Sequence, residues 1–281
     1  MESKNLSVPE NVLRVIGLVM ITVIAIVAIM PLYWMITGSF KIQLSAMSVP
    51  PEWFPAMPTL ENYKDLFTDK PTLRWLFNSL FTAGCISLGA IITSTMAGYA
   101  FGKKQFVGKK FLFWLMLGTM MLPHQVLLIP LFLMITKLDW INSYAGLIVP
   151  FLAYPLGVFL VKQYMQSVPN ELLEAARIDG ANEIRTFTMV VVPMAKPAIG
   201  AIGIFSFVAG WNEYLWQLVI SDKEHMLTLP VAVSRLSQGL GATNLGLAMA
   251  GATVAFIPML IFFIVFQRFF VKGISVGALK G

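Results

Sequence analysis

The sequence predicts an all-α, polytopic membrane protein with about six transmembrane helices, and three observations carry that reading. Of 281 residues, 57% are apolar and only 12% charged, where ordinary soluble domains carry roughly a quarter. A soluble core of this size could not hide so much apolar side chain, whereas bilayer hydrocarbon takes the place of a core. The apolar residues also gather into six runs, each near the roughly 20 residues that a helical crossing needs. Finally, the basic residues fall unevenly between alternate gaps. Thirteen lie on the side of the N-terminus and seven on the other, which by the positive-inside rule makes both termini cytoplasmic.

The first run, Val12–Ile36, is longer than a signal-peptide core of about 7–15 residues, and no small-residue cleavage site follows it. It includes Pro31-Leu32-Tyr33-Trp34, an aromatic belt suited to an interface, so it is a retained helix. Residues 38–72 then form an extracytoplasmic loop. Its proline cluster blocks a continuous helix, Trp53 and Phe54 suit the outer interface, and Leu60–Phe67 reads as a short amphipathic helix capped by Thr59. The second run, Leu73–Phe101, carries Cys85 among small residues as a packing group. With one cysteine, neither an internal disulfide nor a multi-cysteine metal site is available.

The loop Gly102–Lys110 holds four lysines and no acid and decides the orientation. It is not a phosphate loop: five residues separate Gly102 from Gly108 where the motif needs four, and Lys110 replaces the required Ser or Thr. The lysines read as topology determinants. The third run, Phe111–Ile135, contains Pro123 and Pro130, each of which removes a backbone donor and bends the helix. The fourth, Tyr144–Val161, is the shortest. The fifth and sixth are Pro197–Ile220 and Leu245–Phe270, followed by a cytoplasmic tail over 271–281. Small residues recur inside the runs: Gly84, Gly89, Gly98 and Gly102, then Gly200 and Gly203, then Gly246, Ala250 and Gly251. They allow close helix approach and predict a packed bundle.

Residues 162–196 do not read as a simple loop. Pro169 suits a first helical turn. Leu172, Leu173, Ala176 and Ile178 then make an apolar stripe, with Glu171, Glu174 and Arg177 polar. Gly180 is placed to stop this helix in a left-handed conformation. Asn182 caps a second helix with Ile184, Phe187 and Val191 at spacings of three and four, and Pro193 ends it. Two short helices at the cytoplasmic surface, set at roughly a right angle, make a knob meant to dock elsewhere.

The run Glu174-Ala175-Ala176, then Asp179-Gly180, then Val190, Val192 and Pro193 resembles the coupling loop of bacterial ATP-binding-cassette importer permeases. Valine stands where isoleucine and leucine are usual. Two further segments resemble the carbohydrate branch, and within it the second permease subunit of the maltose type. One is Ser39-Phe40-Lys41 through Pro50-Pro51-Glu52-Trp53-Phe54-Pro55 to Pro58-Thr59-Leu60-Glu61-Asn62-Tyr63. The other is Phe270-Val271-Lys272-Gly273 with Gly277-Ala278-Leu279-Lys280-Gly281. Together these extend the resemblance over nearly the whole chain.

The resemblance implies a single permease domain over 1–281, working with a second permease, two ATPase subunits and an external solute-binding protein in the lipid bilayer. Coupling residues Glu174, Ala175, Ala176, Asp179, Gly180 and Pro193 would meet a groove of the ATPase, with Glu174 facing a basic residue there. ATP and magnesium would sit on the ATPase subunits, and this chain would carry no cofactor. The 38–72 loop would help receive the binding protein.

His124-Gln125 near the middle of the third run, and Trp211-Asn212-Glu213-Tyr214 with Gln217 in the fifth, are polar groups at membrane depth. Such groups face a bundle interior or an aqueous pathway. A sugar pathway needs aromatic faces and amide or carboxylate partners, which this set supplies. The same residues could instead bond helix to helix. A proton-coupled secondary transporter using Glu213 is the rival class, but it would need no paired amphipathic helices and often shows inverted repeats, which are not found. A hydrolase would need a nucleophile with a positioned base, and the only histidines are His124 and His225. The net charge of +6 is scattered rather than gathered into a nucleic-acid surface.

Overall fold

The computed structural model describes residues 10–42, 46, 48, 50–237 and 244–278, and every regular element among them is helical. Lys4 and the terminal Leu279-Lys280-Gly281 lie outside the described residues. In chain order the helices are α1 (Glu10–Ser39), α2 (Glu61–Thr68), α3 (Thr72–Lys103), α4 (Lys109–Thr119), α5 (Leu128–Lys137), α6 (Tyr144–Ile148) and α7 (Pro155–Gln166). They continue as α8 (Asn170–Ile178), α9 (Glu183–Thr186), α10 (Val192–Met194), α11 (Lys196–Asn212), α12 (Leu215–Ile220), α13 (Leu229–Leu236) and α14 (Leu245–Ala278).

Four segments are long and apolar enough to cross a bilayer without a sharp bend, namely Asn11–Ser39, Thr72–Lys103, Tyr144–Gln166 (α6 and α7 in succession) and Leu245–Gln267. Two more segments are long and apolar enough only as bent pairs, the form of a broken span or a re-entrant loop: Lys109–Thr119 with His124–Lys137, at 95°, and Glu183–Met194 with Lys196–Asn212, at 77°. The count of six therefore holds when each pair is one crossing.

The bends have local causes. Pro123 has no N–H, and its extended ψ of 130° starts a new turn at His124. Pro130 falls in the first turn of α5, where a missing donor costs little. Pro193 does not end its helix as expected. The chain stays helical to Met194, and the preceding turn, Phe187–Val191, widens to a π-helical one. That widening makes room for a ring that would otherwise press on the carbonyl four residues back.

The fifth run is not continuous either. α11 stops at Asn212, Glu213 is extended, and α12 begins at Leu215. At the other end of the chain α14 runs on through 271–278, so the described part of the expected tail is helix.

Contacts divide the chain into two compact units, Met1–Lys70 with Val233–Val254 and Pro71–Ala232 with Ala255–Gly281. In the first unit, α1 shows its apolar side chains from Val12 to Met30 to the surroundings, as a helix bathed in lipid or covered by another subunit would. The loop after α1 folds back on it. Trp53 sets its ring edge-on to Trp34 at 5.6 Å, and its carbonyl accepts from Tyr33 Oη at 2.9 Å. Lys41, at the start of this loop, is 1% exposed. Its Nζ donates to the Glu52 carbonyl and lies 4.3 Å from the Trp34 ring centre.

α2 begins one residue later than expected, but Thr59 Oγ1 does accept from Glu61 N–H at 3.1 Å. Asn62 on α2 holds the Ser39 and Lys41 carbonyls at 2.9 and 2.8 Å. Gly246 lies so close to this pair that a Cβ there would come within 2.6 Å of the Lys41 carbonyl.

The second unit is built on α3, which packs along α7 and α11. The glycine reading holds for part of its set. A Cβ at Gly98 would sit 2.5 Å from Val161 Cβ, and one at Gly102 would sit 2.7 Å from Met165 Cβ. Across α11, Ser87 Oγ donates to the Gly203 carbonyl at 2.9 Å. Gly84 and Gly200 have nothing within 4 Å of a Cβ among the described residues outside their own helices.

Candidate functional site

The 162–196 loop is the first candidate. α8 ends in the paired bonds of a Schellman motif: Ala181 N–H to the Ala176 carbonyl at 2.9 Å, and Gly180 N–H to the Arg177 carbonyl at 3.0 Å. Gly180 takes φ +78°, a conformation a β-carbon disfavours. Asn182 Oδ1 accepts from Arg185 N–H at 2.8 Å and starts α9.

The expected apolar stripe divides. Leu173 is buried and packs with Tyr99, Val161, Met165 and Val191. Leu172 and Ile178 face out, with Ile178 87% exposed, and Glu174, Ala175 and Asp179 share that outward aspect. The second stripe divides as well. Phe187 and Val191 join the core, while Ile184 is 75% exposed. An exposed apolar surface ringed by charge thus sits on a loop whose inner side is packed.

Lysines read above as topology markers prove to hold this loop. Lys103 Nζ donates to Asn170 Oδ1 at 2.7 Å and to the Val168 carbonyl, at the entry to α8. Lys104 pairs with Glu183 at the start of α9, and Tyr99 Oη donates to the same carboxylate at 3.0 Å. The Lys104 hydrogen bond holds Glu183 below the usual carboxylate range. Burial works against the charge on Lys104, but hydrogen bonds to Glu183 and Tyr99 outweigh it and hold its pKa above the ordinary lysine value. These partners, Asn170 and Glu183, lie 67 and 79 residues away along the chain, beyond the reach of any local pattern.

The second candidate is a cavity of about 110 Å³ lined by His124, Gln125, Leu128, Leu131, Glu213, Leu215 and Trp216. Two widely separated helix breaks build it. The 95° bend presents His124 and Gln125, with His124 edge-on to Phe151 at 5.3 Å. The break after Asn212 presents Glu213, whose Oε1 caps α12 by accepting from Trp216 N–H at 3.1 Å.

Three of the residues singled out above, His124, Gln125 and Glu213, therefore meet. Trp211 and Gln217 lie elsewhere. Trp211 is buried against Phe207, and Gln217 is 2% exposed, donating to the Gly210 carbonyl at 3.2 Å and accepting from Thr228. Gln217 thus satisfies a carbonyl freed where α11 ends. Asn212 is exposed and Tyr214 half-buried, and neither lines the cavity. Leu128 and Leu131, missed above, stand four and seven residues after His124, a helical spacing that could have found them. Trp216, also missed, is fixed by Nε1 donating to the Gly146 carbonyl at 3.0 Å.

A kinked, many-helix membrane chain with a packed surface loop and a small, mainly apolar cavity that His124, Gln125 and Glu213 also line has the form of a transporter's membrane subunit. Residues 89–276 match the family described as "Binding-protein-dependent transport system inner membrane component", and the chain belongs to it. The chain is 34% identical to the arabinooligosaccharides transport system permease protein AraQ of Halalkalibacterium halodurans, over 92% of this chain and 93% of that one. It is also 34% identical to the trehalose/maltose transport system permease protein MalG of Thermococcus litoralis, over 97% and 98%. Against the sn-glycerol-3-phosphate transport system permease protein UgpE of Brucella abortus the identity is 33%, over 92% and 94%.

A chain of the crystal structure of a bacterial ABC transporter that imports the acidic polysaccharide alginate shares the fold. The TM-score is 0.84 at 22% identity, over 94% of this chain and 98% of that one. The protein is a multi-pass permease subunit of an ATP-binding-cassette importer and not an enzyme. ATP is hydrolysed on separate subunits. Membership in this family displaces the secondary-transporter reading.

Proposed function

We propose that this permease carries a sugar or a polyol ester, handed over by an external solute-binding protein, and that the 162–196 loop takes up the stroke of the ATPases. The observation that carries the coupling role is the loop's division into two sides. Leu173 and Val191 are packed inward, while Ile178, Ile184 and Glu174 are presented outward around a Gly180 turn.

Apolar side chains so exposed on a rigid knob suit a partner's groove, and Glu174 supplies a charge for a basic residue there. The loop then lies at the cytoplasmic surface with both termini, beside two ATPase subunits that hold ATP and magnesium. A second permease completes the pathway, and residues 38–72 face the binding protein. The sugar reading is supported by the relatives, whose names concern arabinooligosaccharides, trehalose and maltose, and glycerol phosphate. In the cavity His124, Gln125 and Glu213 offer donors and acceptors for hydroxyls beside the Trp216 ring.

The test is co-purification of the ATPase subunits with Glu174→Arg and Gly180→Val variants, together with uptake in vesicles. Both variants should insert normally and lose ATPase or uptake. A variant that holds its ATPases and transports at the parental rate would reduce the loop to a connector. For the cavity, Gln125→Ala should change the solute concentration needed for half-maximal uptake, and an unchanged value would remove it from the pathway.

A further inference from the structure

We infer that Tyr99, Lys103 and Lys104 are positioning residues that make α3 a transmission rod between the docking loop and the turn at Glu224–Leu227. This rests on the coupling reading of the loop. The two adjacent lysines divide the loop between them. Lys103 grips the entry to α8 through Asn170 and the Val168 carbonyl, and Lys104 grips the start of α9 through Glu183.

Packing of Leu173, Phe187 and Val191 alone would leave the loop free to roll, because apolar contact is non-directional. Directional bonds at two separate points remove that freedom. The far end of α3 is pinned in the same manner. Trp75 Nε1 donates to the Glu224 carbonyl at 2.9 Å, and Asn78 Nδ2 donates to the His225 and Leu227 carbonyls at 2.9 and 2.8 Å. Between these ends α3 is one unbroken helix of 32 residues, about 48 Å long at 1.5 Å per residue. It is seated closely on α7 at Gly98 and Gly102. A displacement of the loop is therefore passed along α3 rather than absorbed at its end.

The experiment uses the complete importer in vesicles and reads ATP hydrolysed per solute imported. Lys104→Glu and Glu183→Lys should each raise that ratio about fivefold or more, the lower end of a typical coupling between sites. The Lys104→Glu/Glu183→Lys double variant should bring it back towards the parental value. An unchanged ratio in the single variants, or a double variant as uncoupled as either single one, would overturn the inference. If the charge variants fail to assemble, Tyr99→Phe and Lys103→Met decide it by the same ratio, and parental coupling in both counts against the rod. ATPase subunits that do not bind even the parental chain would bring down the docking reading itself, and this inference with it.

Discussion

Gly180 shows how much of the 162–196 loop is local chemistry. Its left-handed turn was readable because a glycine after an amphipathic run is a strong helix stop, and the Schellman bonds are those expected of it. A Cβ at Gly180 would meet nothing within 4 Å. The whole cost of Gly180→Ala is therefore backbone strain, about 1–2 kcal/mol, and it should appear as a small fall in the melting temperature of the detergent-purified chain. A collapse of expression would point instead to a packing role. Asn182 was legible for the same reason, since a cap acts within three residues. Lys104 was not, because a lysine at a membrane edge already has an orientation role and its partner Glu183 is 79 residues away.

That pair also makes a pH prediction. The folded pKa of Glu183 is depressed, so its contribution is full above the unfolded carboxylate value of about 4.3 and is lost as pH falls through the lower folded value. The folded pKa of Lys104 is raised, so its contribution is full below about 10.4 and is lost as pH rises through the higher folded value. A spin label at Ile184→Cys, in a Cys85→Ser background, should show constant mobility across the neutral range and loosen only in strong acid or strong base. Loosening already in mild acid would mean that the pair does not hold α9.

Among the elements, contact between α3 and α7 depends on glycine at two successive turns. Gly98→Val should drive a side chain into Val161 and cost about 1–3 kcal/mol by overpacking, while Gly84→Ala, with open space around it, should be neutral. Thermal unfolding of the two variants in detergent separates them, and equal melting temperatures would contradict the close packing.

Helix breaks were legible only where a proline marks them. The bend near Pro123 was expected, though not its 95°. The break at Glu213–Tyr214 carries no proline or glycine. It survives because Glu213 caps the new helix and Gln217 takes up the Gly210 carbonyl. Gln217→Leu should strand that buried carbonyl at a cost of about 1–3 kcal/mol, measurable as a lower melting temperature. An unchanged one would show that water or a neighbouring group replaces the bond.

For the whole molecule, the uneven distribution of basic residues makes orientation testable. In a chain with Cys85→Ser, a cysteine at Thr59 should react with a membrane-impermeant reagent applied to intact cells, and one at Lys104 should not. The reverse pattern would invert the protein and place the docking loop outside.

Medium, helicity and the number of crossings followed from composition and run length, because a bilayer leaves the backbone few ways to satisfy its own polar groups. The Gly180 turn and the Asn182 cap of the 162–196 loop followed from local pattern, because their partners lie within a few residues. Tertiary structure alone decided that Lys41 is buried under Trp34, that Lys103 and Lys104 hold the loop, and that His124, Gln125 and Glu213 share one cavity while Trp211 is buried and Gln217 braces the break after α11. Each of those outcomes depends on contacts between stretches far apart in the chain or on a break no residue type announces, and periodicity carries no record of either.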